Sequence, residues 1–234
     1  MKHDIAGVRA VPVILIMVAT SLHHKVNAEN TVAQQENTET RAILRIVEVF
    51  NTTQRLWLYW KNYTIDTKIP DDLQNHGVAN LDLTENCTYI KKINITEAYF
   101  HYWWHTMMLG ELVRSHYYGA FFSEGGPEKR GSMNVTDLSE SEPEPFQTMK
   151  LMHMGKDCSV FYVTPLEEDS NAGCELYVRN KVVSQGAPQD CLTYYEDNCK
   201  NKTVVYRSGC KSEVRQAQRQ LKNILSKPLK KQMK

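Results

Sequence analysis

The chain contains six cysteines, an even number, and no two of them form a Cys-x-x-Cys pair. Zinc and redox sites commonly use that spacing, so its absence argues against both. In an exported chain an even set of this kind predicts three disulfides, and six cysteines allow fifteen pairings. Three covalent links restrict the fold more strongly than any other feature of the sequence. The six are Cys87, Cys158, Cys174, Cys191, Cys199 and Cys210.

The N-terminus predicts export. Basic residues up to Arg9 precede an apolar run at Ala10–Ala19, and Val26-Asn27-Ala28 ends the segment like a cleavage site. The apolar run is about ten residues long, short of the roughly 20 that span a bilayer, and no later stretch is continuously apolar. We therefore expect a signal peptide at residues 1–28, a polar leader at 29–37, no transmembrane segment, and a secreted, extracellular protein.

Asn-x-Ser/Thr acceptors for N-glycosylation occur six times, which agrees with secretion because an occupied acceptor lies on the surface. We expect a glycoprotein, with the acceptor next to Cys87 the most readily blocked. The six acceptors are Asn51, Asn62, Asn86, Asn94, Asn134 and Asn201.

Charge divides the chain. The formal net charge is +1, but residues 211–234 hold eight basic residues against Glu213 alone, which leaves residues 29–210 strongly acidic. Apolar residues of this tail recur at helical spacing with Lys and Arg between them, so residues 211–234 predict a basic amphipathic helix. The helix packs on the acidic body or stays solvated; contact with anionic lipid or glycosaminoglycan is the alternative. Its apolar positions are Val214, Ala217, Leu221, Ile224 and Leu225.

The body of the chain alternates in the manner of an all-β protein. A short helical stripe at Ile43, Ile46, Val47 and Phe50 comes first. From Arg55 the period is two, with Leu56, Leu58 and Trp60 predicted on one strand face. Turn-forming clusters separate the strands, a pattern typical of a single-domain sandwich or barrel. The predicted strands are Leu56–Tyr63, Thr88–Ile95, Ala98–Met107, Leu112–Phe122, Phe146–Met154, Ser159–Thr164, Glu175–Val183 and Thr203–Tyr206.

A polar segment, Gly125–Pro145, predicts a long loop that holds one irregular strand near Ser132–Leu138. It forms a flap over a barrel mouth or a solvated connection.

Signatures of common enzymes are missing. The sequence has no Gly-x-Gly-x-x-Gly, P-loop, Gly-x-Ser-x-Gly or His-Glu-x-x-His motif, so we expect no enzyme and no cofactor. His101 and His105 lie in a predicted strand, about 13 Å apart at roughly 3.3 Å per residue, which argues against a shared metal. We expect no metal site.

Aromatic residues alternate along the strands, and acids such as Glu111 and Glu175 fall within them. In a closed barrel of about eight strands, one alternating face points inward and surrounds a small ligand. A carboxylate buried there favours a cationic partner, and an aromatic wall adds cation–π attraction. This chemistry suits an organic amine, but the composition fits equally well a core filled by aromatics with acids at its rim.

The segment Cys174-Glu175-Leu176-Tyr177-Val178 resembles the Cys-(Asp/Glu)-(Leu/Val)-(Trp/Tyr)-Val signature of the tick salivary lipocalins, whose best-known members bind histamine. The order of the flanking segments, from Leu56–Tyr63 to Ser208-Gly209-Cys210, is similar too. The resemblance covers residues 38–210 and implies an eight-stranded antiparallel lipocalin barrel with an N-terminal and a C-terminal helix. It also implies the disulfides Cys87–Cys210, Cys158–Cys191 and Cys174–Cys199.

Four ligand-binding residues follow from the resemblance. Glu175 and Tyr177 match the acid and the aromatic residue that contact ligand in amine-binding members, and Tyr63 matches a tyrosine that ends the first strand. Glu111 is placed as the buried acid of a second pocket.

Other positions depart from the family pattern. Ser159 stands where amine binders carry an aspartate, Leu81 takes the place of a pocket tryptophan, and Arg41-Ala42-Ile43 replaces Asp/Glu-Ala-Trp. With two acids lost, one amine site is put in doubt and a more apolar ligand becomes a rival.

The resemblance implies a monomeric salivary carrier that sequesters a small host mediator, preferably the biogenic amines histamine or serotonin, to suppress host inflammation and defence. No nucleic acid partner is expected. One alternative is a lipid mediator such as a leukotriene, thromboxane or fatty acid, whose carboxylate meets Arg114 or Arg179. Another is a module whose loops or basic tail engage a host protein or heparin.

Overall fold

The computed structural model describes residues 45–63, 84–123, 131–167 and 171–226. The chain divides into two units, residues 1–39 and 40–234, and every described residue belongs to the second. The expected signal peptide and polar leader, as well as Leu81, lie outside the described residues. In the part of the chain that is described, no helix is both long enough and apolar enough to cross a bilayer.

Eight antiparallel strands form a closed barrel. Each strand pairs with the next one in the chain, and β1 pairs with both β8 and β2, which closes the ring. The start of β1 lies beside β2, and its end lies beside the short strand β9. The elements are α1 Arg45–Phe50, β1 Leu56–Lys61, β2 Asn86–Ile95, β3 Tyr99–Met108, β4 Glu111–Phe122, β5 Ser132–Asp137, β6 Pro145–Met154, β7 Cys158–Pro165, β8 Gly173–Arg179, a 3-10 helix Val183–Gln185, α2 Gln189–Cys199, β9 Thr203–Val204 and α3 Cys210–Ser226.

This architecture confirms the predicted all-β class and the eight-stranded antiparallel barrel. The fifth strand differs from its prediction, because Ser132–Asp137 is a strand of the barrel that pairs with both β4 and β6, with a register shift between Val135 and Thr136 on the β6 side. Its inward residues Met133 and Val135 are fully buried. Polar residues alternate with them, so the period-two pattern was not recognised as a regular strand in the sequence. The eighth strand ends at Arg179, four residues earlier than predicted.

The helix α2 is absent from the sequence prediction, which has only an N-terminal and a C-terminal helix. Its buried residues are Cys191, Tyr195 and Cys199, spaced four apart so that they share one helix face. Two of these three residues are cysteines in disulfides, while the rest of the helix is polar. A periodicity search based on aliphatic residues therefore misses α2.

Two hydrophobic cores lie on opposite faces of the barrel wall. One core takes residues from all eight strands, so it lies in the barrel interior; it includes Phe100, Tyr102 and Phe161. The helix α1 adds to it through Phe50, whose ring stacks on Phe100 at 4.6 Å and on Phe161 at 5.3 Å between centroids. These contacts place α1 against one end of the interior.

The second core lies outside the wall, between the strands and the helices α2 and α3. Trp57, Leu176 and Val178 contribute from the wall, and Tyr195 and Val214 contribute from the two helices. Both faces of β1 and β8 are therefore buried, as the bulky residues on both faces of the first strand predicted.

Three disulfides attach the helices to the barrel. Cys158–Cys191 and Cys174–Cys199 join β7 and β8 to α2, and Cys87–Cys210 joins β2 to the first residue of α3. All six cysteines are paired, and these are the three pairs that the family resemblance implies.

Candidate functional site

A β-bulge in β1 determines which side chains enter the barrel. Leu58 pairs with Tyr177 on β8, and the register then shifts so that Trp60 pairs with Leu176 and Lys61 with Glu175. The extra residue reverses the alternation along the strand. Trp60 therefore joins the outer core, whereas strict alternation had placed it on the face of Leu56 and Leu58. Lys61 instead shares the inward face with Glu175.

The carboxylate of Glu175 lies inside the barrel with a tyrosine on each oxygen. The Tyr63 hydroxyl donates a hydrogen bond of 2.5 Å to Oε1, and the Tyr177 hydroxyl donates one of 2.8 Å to Oε2. Glu175 is 6% exposed. Burial raises the pKa of Glu175, although the two phenol hydrogen bonds and the charge of Lys61 partly oppose this rise. Three of the four predicted ligand residues thus form one contiguous group.

A second acid and a lysine lie beside this group, and neither was identified from the sequence. The Lys61 ammonium is 3.3 Å from Oε2 of Glu85, with both side chains largely buried. The same ammonium lies 5.4 Å from the centre of the Tyr63 ring. Glu85 escaped detection because it comes just before β2 in a stretch without periodicity. Lys61 was missed because only the bulge turns it inward.

Aromatic rings line the interior around the carboxylate. Tyr102 meets Tyr117 edge-on at 5.6 Å between centroids, Trp104 stacks on Tyr117 at 5.7 Å, and Phe161 meets Tyr177 edge-on at 5.8 Å. Such rings present the negative faces that attract organic cations.

Burial is the main cause of the raised pKa values of these tyrosines, and nearby carboxylates add to the rise. Burial, followed by the charges of Asp137, Glu85 and Glu175, raises the pKa of the Tyr117 hydroxyl far above its ordinary value. The pKa of the Tyr102 hydroxyl is raised by burial and also by Glu175 and Asp137. Carboxylates from three separate elements therefore act on one region of the interior.

The end of the barrel opposite α1 is acidic. Because the strands alternate in direction, the β3–β4 turn and the β5–β6 connection lie at the end towards which β1 runs. The exposed acids there are Glu111, Glu140, Glu142 and Glu144. Glu111 begins β4 at the β3–β4 turn and is exposed, so the expectation of a buried acid at this position is wrong. A hairpin end with a two-residue turn cannot enclose a carboxylate.

Other residues named from the sequence lie apart from this group or contribute differently. Ser159 is buried opposite Tyr177, so a hydroxyl occupies the place where the family pattern has an aspartate. Arg114 is exposed with its guanidinium 4.6 Å from the centre of the Trp103 ring. Arg179 pairs with Leu56 at the α1 end of β8. Neither arginine is positioned beside Glu175.

The two histidines of β3 have separate partners. His101 Nδ1 lies 3.3 Å from Nε2 of His116, and His105 is buried with its ring stacked on Tyr89 at 4.4 Å. They do not converge on one point.

The glycosylation acceptors differ in their surroundings. Asn51, Asn94 and Asn201 are exposed, whereas Asn86 and Asn134 are partly buried. The Asn62 amide donates a hydrogen bond of 2.7 Å to the Cys199 carbonyl and accepts one of 2.6 Å from the Cys174 backbone N–H. The side-chain nitrogen of Asn62 is thus bonded to α2, while its oxygen is bonded to β8.

Comparison with solved structures finds similar proteins at low identity. Japanin from Rhipicephalus appendiculatus bound to cholesterol is 12% identical, with 67% of this chain and 93% of that chain covered at a TM-score of 0.43. Bovine odorant binding protein, as a deswapped triple mutant, is 12% identical, with 68% and 97% covered at a TM-score of 0.40. The siderocalin Ex-FABP is 10% identical, with 66% and 93% covered at 0.43.

Comparison with curated proteins finds no match. The sequence model described as tick histamine binding protein matches residues 27–212, which is most of the 234-residue chain. The chain therefore belongs to the tick histamine binding protein family.

Proposed function

We propose that this protein is a secreted carrier that binds a biogenic amine, histamine or serotonin, inside its barrel and so withholds it from host inflammation and defence. The observation that carries the proposal is the buried Glu175 carboxylate with one tyrosine hydroxyl on each oxygen. Burying a carboxylate is unfavourable unless hydrogen bonds and an opposite charge compensate it. The phenols supply the hydrogen bonds, and a ligand ammonium supplies the charge.

The charge balance inside the barrel favours a singly charged cation. When both carboxylates are ionised, Lys61, Glu85 and Glu175 carry a formal net charge of −1, because a single ammonium interacts with both acids. Each Glu175 oxygen accepts one hydrogen bond and has room for another, because a carboxylate oxygen offers about two acceptor sites. Histamine and serotonin are both monocations near neutral pH. The acidic end of the barrel would also attract a cation towards the interior.

Binding requires no reaction, and we propose no catalytic step. The three disulfides support an extracellular location, because such links persist in oxidising compartments.

The decisive test is calorimetry of the purified protein with histamine and with serotonin. Glu175→Gln should weaken amine binding roughly 30-fold or more, because it removes the charge partner of a desolvated ammonium. Glu196→Gln, on the outer helix α2 where the side chain is exposed, is the matched control and should bind like the unaltered protein. Absence of heat with either amine, or equal binding by Glu175→Gln, would refute the proposal.

The pH dependence gives an independent check. The ionised form of Glu175 binds the amine, and burial raises its pKa above the ordinary 4.5, so protons compete with the ligand on the acidic side. Serotonin affinity should fall as the pH decreases from 8 towards 5. Serotonin is the better probe because its ammonium stays charged across this range, whereas the histamine imidazole titrates within it.

Lys61 supports a second candidate, a fatty acid or another lipid mediator with a carboxylate. Its buried ammonium could pair with a ligand carboxylate above the apolar interior that contains Phe161. Native mass spectrometry of protein secreted by eukaryotic cells would then show a co-purified lipid. Lys61→Met would abolish that adduct, whereas under the amine proposal no such adduct is found.

A further inference from the structure

The first half of the C-terminal helix α3 is held firmly on the barrel. Cys210 is linked to Cys87, and Val214 and Ala217 are buried against the wall. Gln218 also contacts the barrel, donating to the Tyr89 hydroxyl at 3.1 Å and accepting from Arg55 at 3.3 Å, whereas every residue from position 219 to position 226 is exposed. The attachment thus ends about halfway along the helix.

The apolar stripe of α3 continues beyond this attachment. Leu221, Ile224 and Leu225 follow Val214 and Ala217 at intervals of three and four, so all five lie on one helix face. The exposed fractions of Leu221, Ile224 and Leu225 are 45%, 66% and 76%. One face therefore packs on the barrel over its first half and is bare over its second half. Burial in a partner would account for the continued apolar stripe, whereas a helix end surrounded only by water gains nothing from it.

Basic residues surround the bare part of the stripe. Arg219 and Lys222 are exposed on the flank of the helix, and the sequence adds Lys227, Lys230 and Lys231 after it. The acidic residues of the chain lie almost entirely before α3, with Glu213 alone among acids in residues 211–234. The positive charge is therefore concentrated at the segment where apolar side chains are exposed.

We propose that the exposed end of α3, residues 219–226, is a docking surface for a lipid bilayer that contains anionic phospholipid. The exposed end of the helix enters the interface obliquely, with Leu221, Ile224 and Leu225 immersed, while Arg219 and Lys222 contact the headgroups. Heparin would bind the basic residues through its charge alone and would not account for the three exposed apolar side chains. A second copy paired along this face would bring the flanking cations of both helices together.

The test measures co-flotation of the full secreted protein with vesicles of phosphatidylcholine alone and of phosphatidylcholine with 30% phosphatidylserine. We expect about tenfold stronger binding to the anionic vesicles, falling steeply as salt is raised. Replacing Leu221, Ile224 and Leu225 together by serine should reduce binding to the anionic vesicles at least about tenfold. The same variant should elute from heparin at an unchanged salt concentration.

A matched control replaces three exposed apolar residues elsewhere, Ile93, Met152 and Val204, by serine. This control should bind the vesicles like the unaltered protein, and circular dichroism should show that both variants are folded.

Three results would overturn the proposal. The first is equal binding to vesicles by the Leu221/Ile224/Leu225 variant, which would leave charge attraction alone and favour a polyanion such as heparin. The second is equal loss in the control variant, and the third is a protein dimer in sedimentation that the serine variant abolishes. None of these outcomes depends on whether the barrel binds an amine.

Discussion

Protonation of His105 should destabilise the barrel by a predictable amount. The imidazole lies on the outer face of β3, stacked on Tyr89 beneath the α3 helix, and is buried. Burial, together with the positive charges of Arg55, Arg114 and Lys91, lowers the pKa of His105 from 6.5 to about 4, against one opposing backbone hydrogen bond. In the unfolded chain the same imidazole titrates at its ordinary value.

The direction follows from the proton balance. Between pH 6.5 and pH 4, His105 is protonated in the unfolded chain but largely neutral in the folded protein. The free energy of unfolding therefore decreases as the pH falls. Each pKa unit corresponds to about 1.4 kcal/mol, so His105 should remove about 3 kcal/mol from the free energy of unfolding by pH 4. That is a large part of the stability of a typical domain.

Urea unfolding followed by tryptophan fluorescence at pH 7.5, 6, 5 and 4 would measure this loss. His105→Gln removes the titration, so the difference in unfolding free energy between the unaltered protein and the variant should change by about 3 kcal/mol across the range. His101→Gln, on the same strand face, should give a smaller change, because burial lowers the pKa of this partly exposed histidine less drastically. Parallel pH curves for the unaltered protein and His105→Gln would refute the reasoning.

Three further predictions concern covalent and packing features. Replacing Cys87 and Cys210 by alanine should lower the free energy of unfolding by about 5 kcal/mol on the chain-entropy model, because the disulfide spans 123 residues. Denaturant titration measures this loss, and a loss under about 1 kcal/mol would contradict the prediction. Peptide mass spectrometry of the secreted protein should find Asn62 unglycosylated and the exposed Asn94 glycosylated. A glycan on Asn62 in the folded protein would disprove the hydrogen-bonding role of its amide. Gly173→Ala should cost about 1–3 kcal/mol because its methyl group would overlap Oδ1 of Asn62, and unchanged urea unfolding would argue against that close approach.

Much of the fold could be predicted from the residue pattern. Period-two alternation located most of the barrel strands within a few residues of their observed bounds, because successive side chains of a strand point to opposite faces of the wall. The strand β5 was underestimated, since the short side chains of Ser132 and Thr136 can be buried in a wall without being apolar. The helix α2 was missed, because cysteines tied to the barrel by disulfides replace the usual aliphatic stripe.

The candidate site was predicted less completely than the fold. Glu175, Tyr63 and Tyr177 came from the family resemblance, and both tyrosine hydroxyls lie within hydrogen-bond distance of the Glu175 carboxylate. Glu111 was placed in the interior by the same resemblance, but it begins β4 beside the β3–β4 turn and is exposed. Position in a strand predicts which face a residue takes, whereas depth along the barrel depends on where the hairpins turn.

The sequence by itself determined the positions of most strands along the chain, the covalent chemistry available to six cysteines and the charge division between body and tail, because these depend on local pattern and composition. Only the tertiary structure decided that Lys61 faces Glu175, since a one-residue bulge in β1 exchanges the inner and outer faces. Only the tertiary structure showed that the apolar stripe of α3 outlasts its contact with the barrel. Strand register, and the length of a helix that extends past the barrel, depend on how secondary-structure elements pack together. Local sequence patterns do not contain this information.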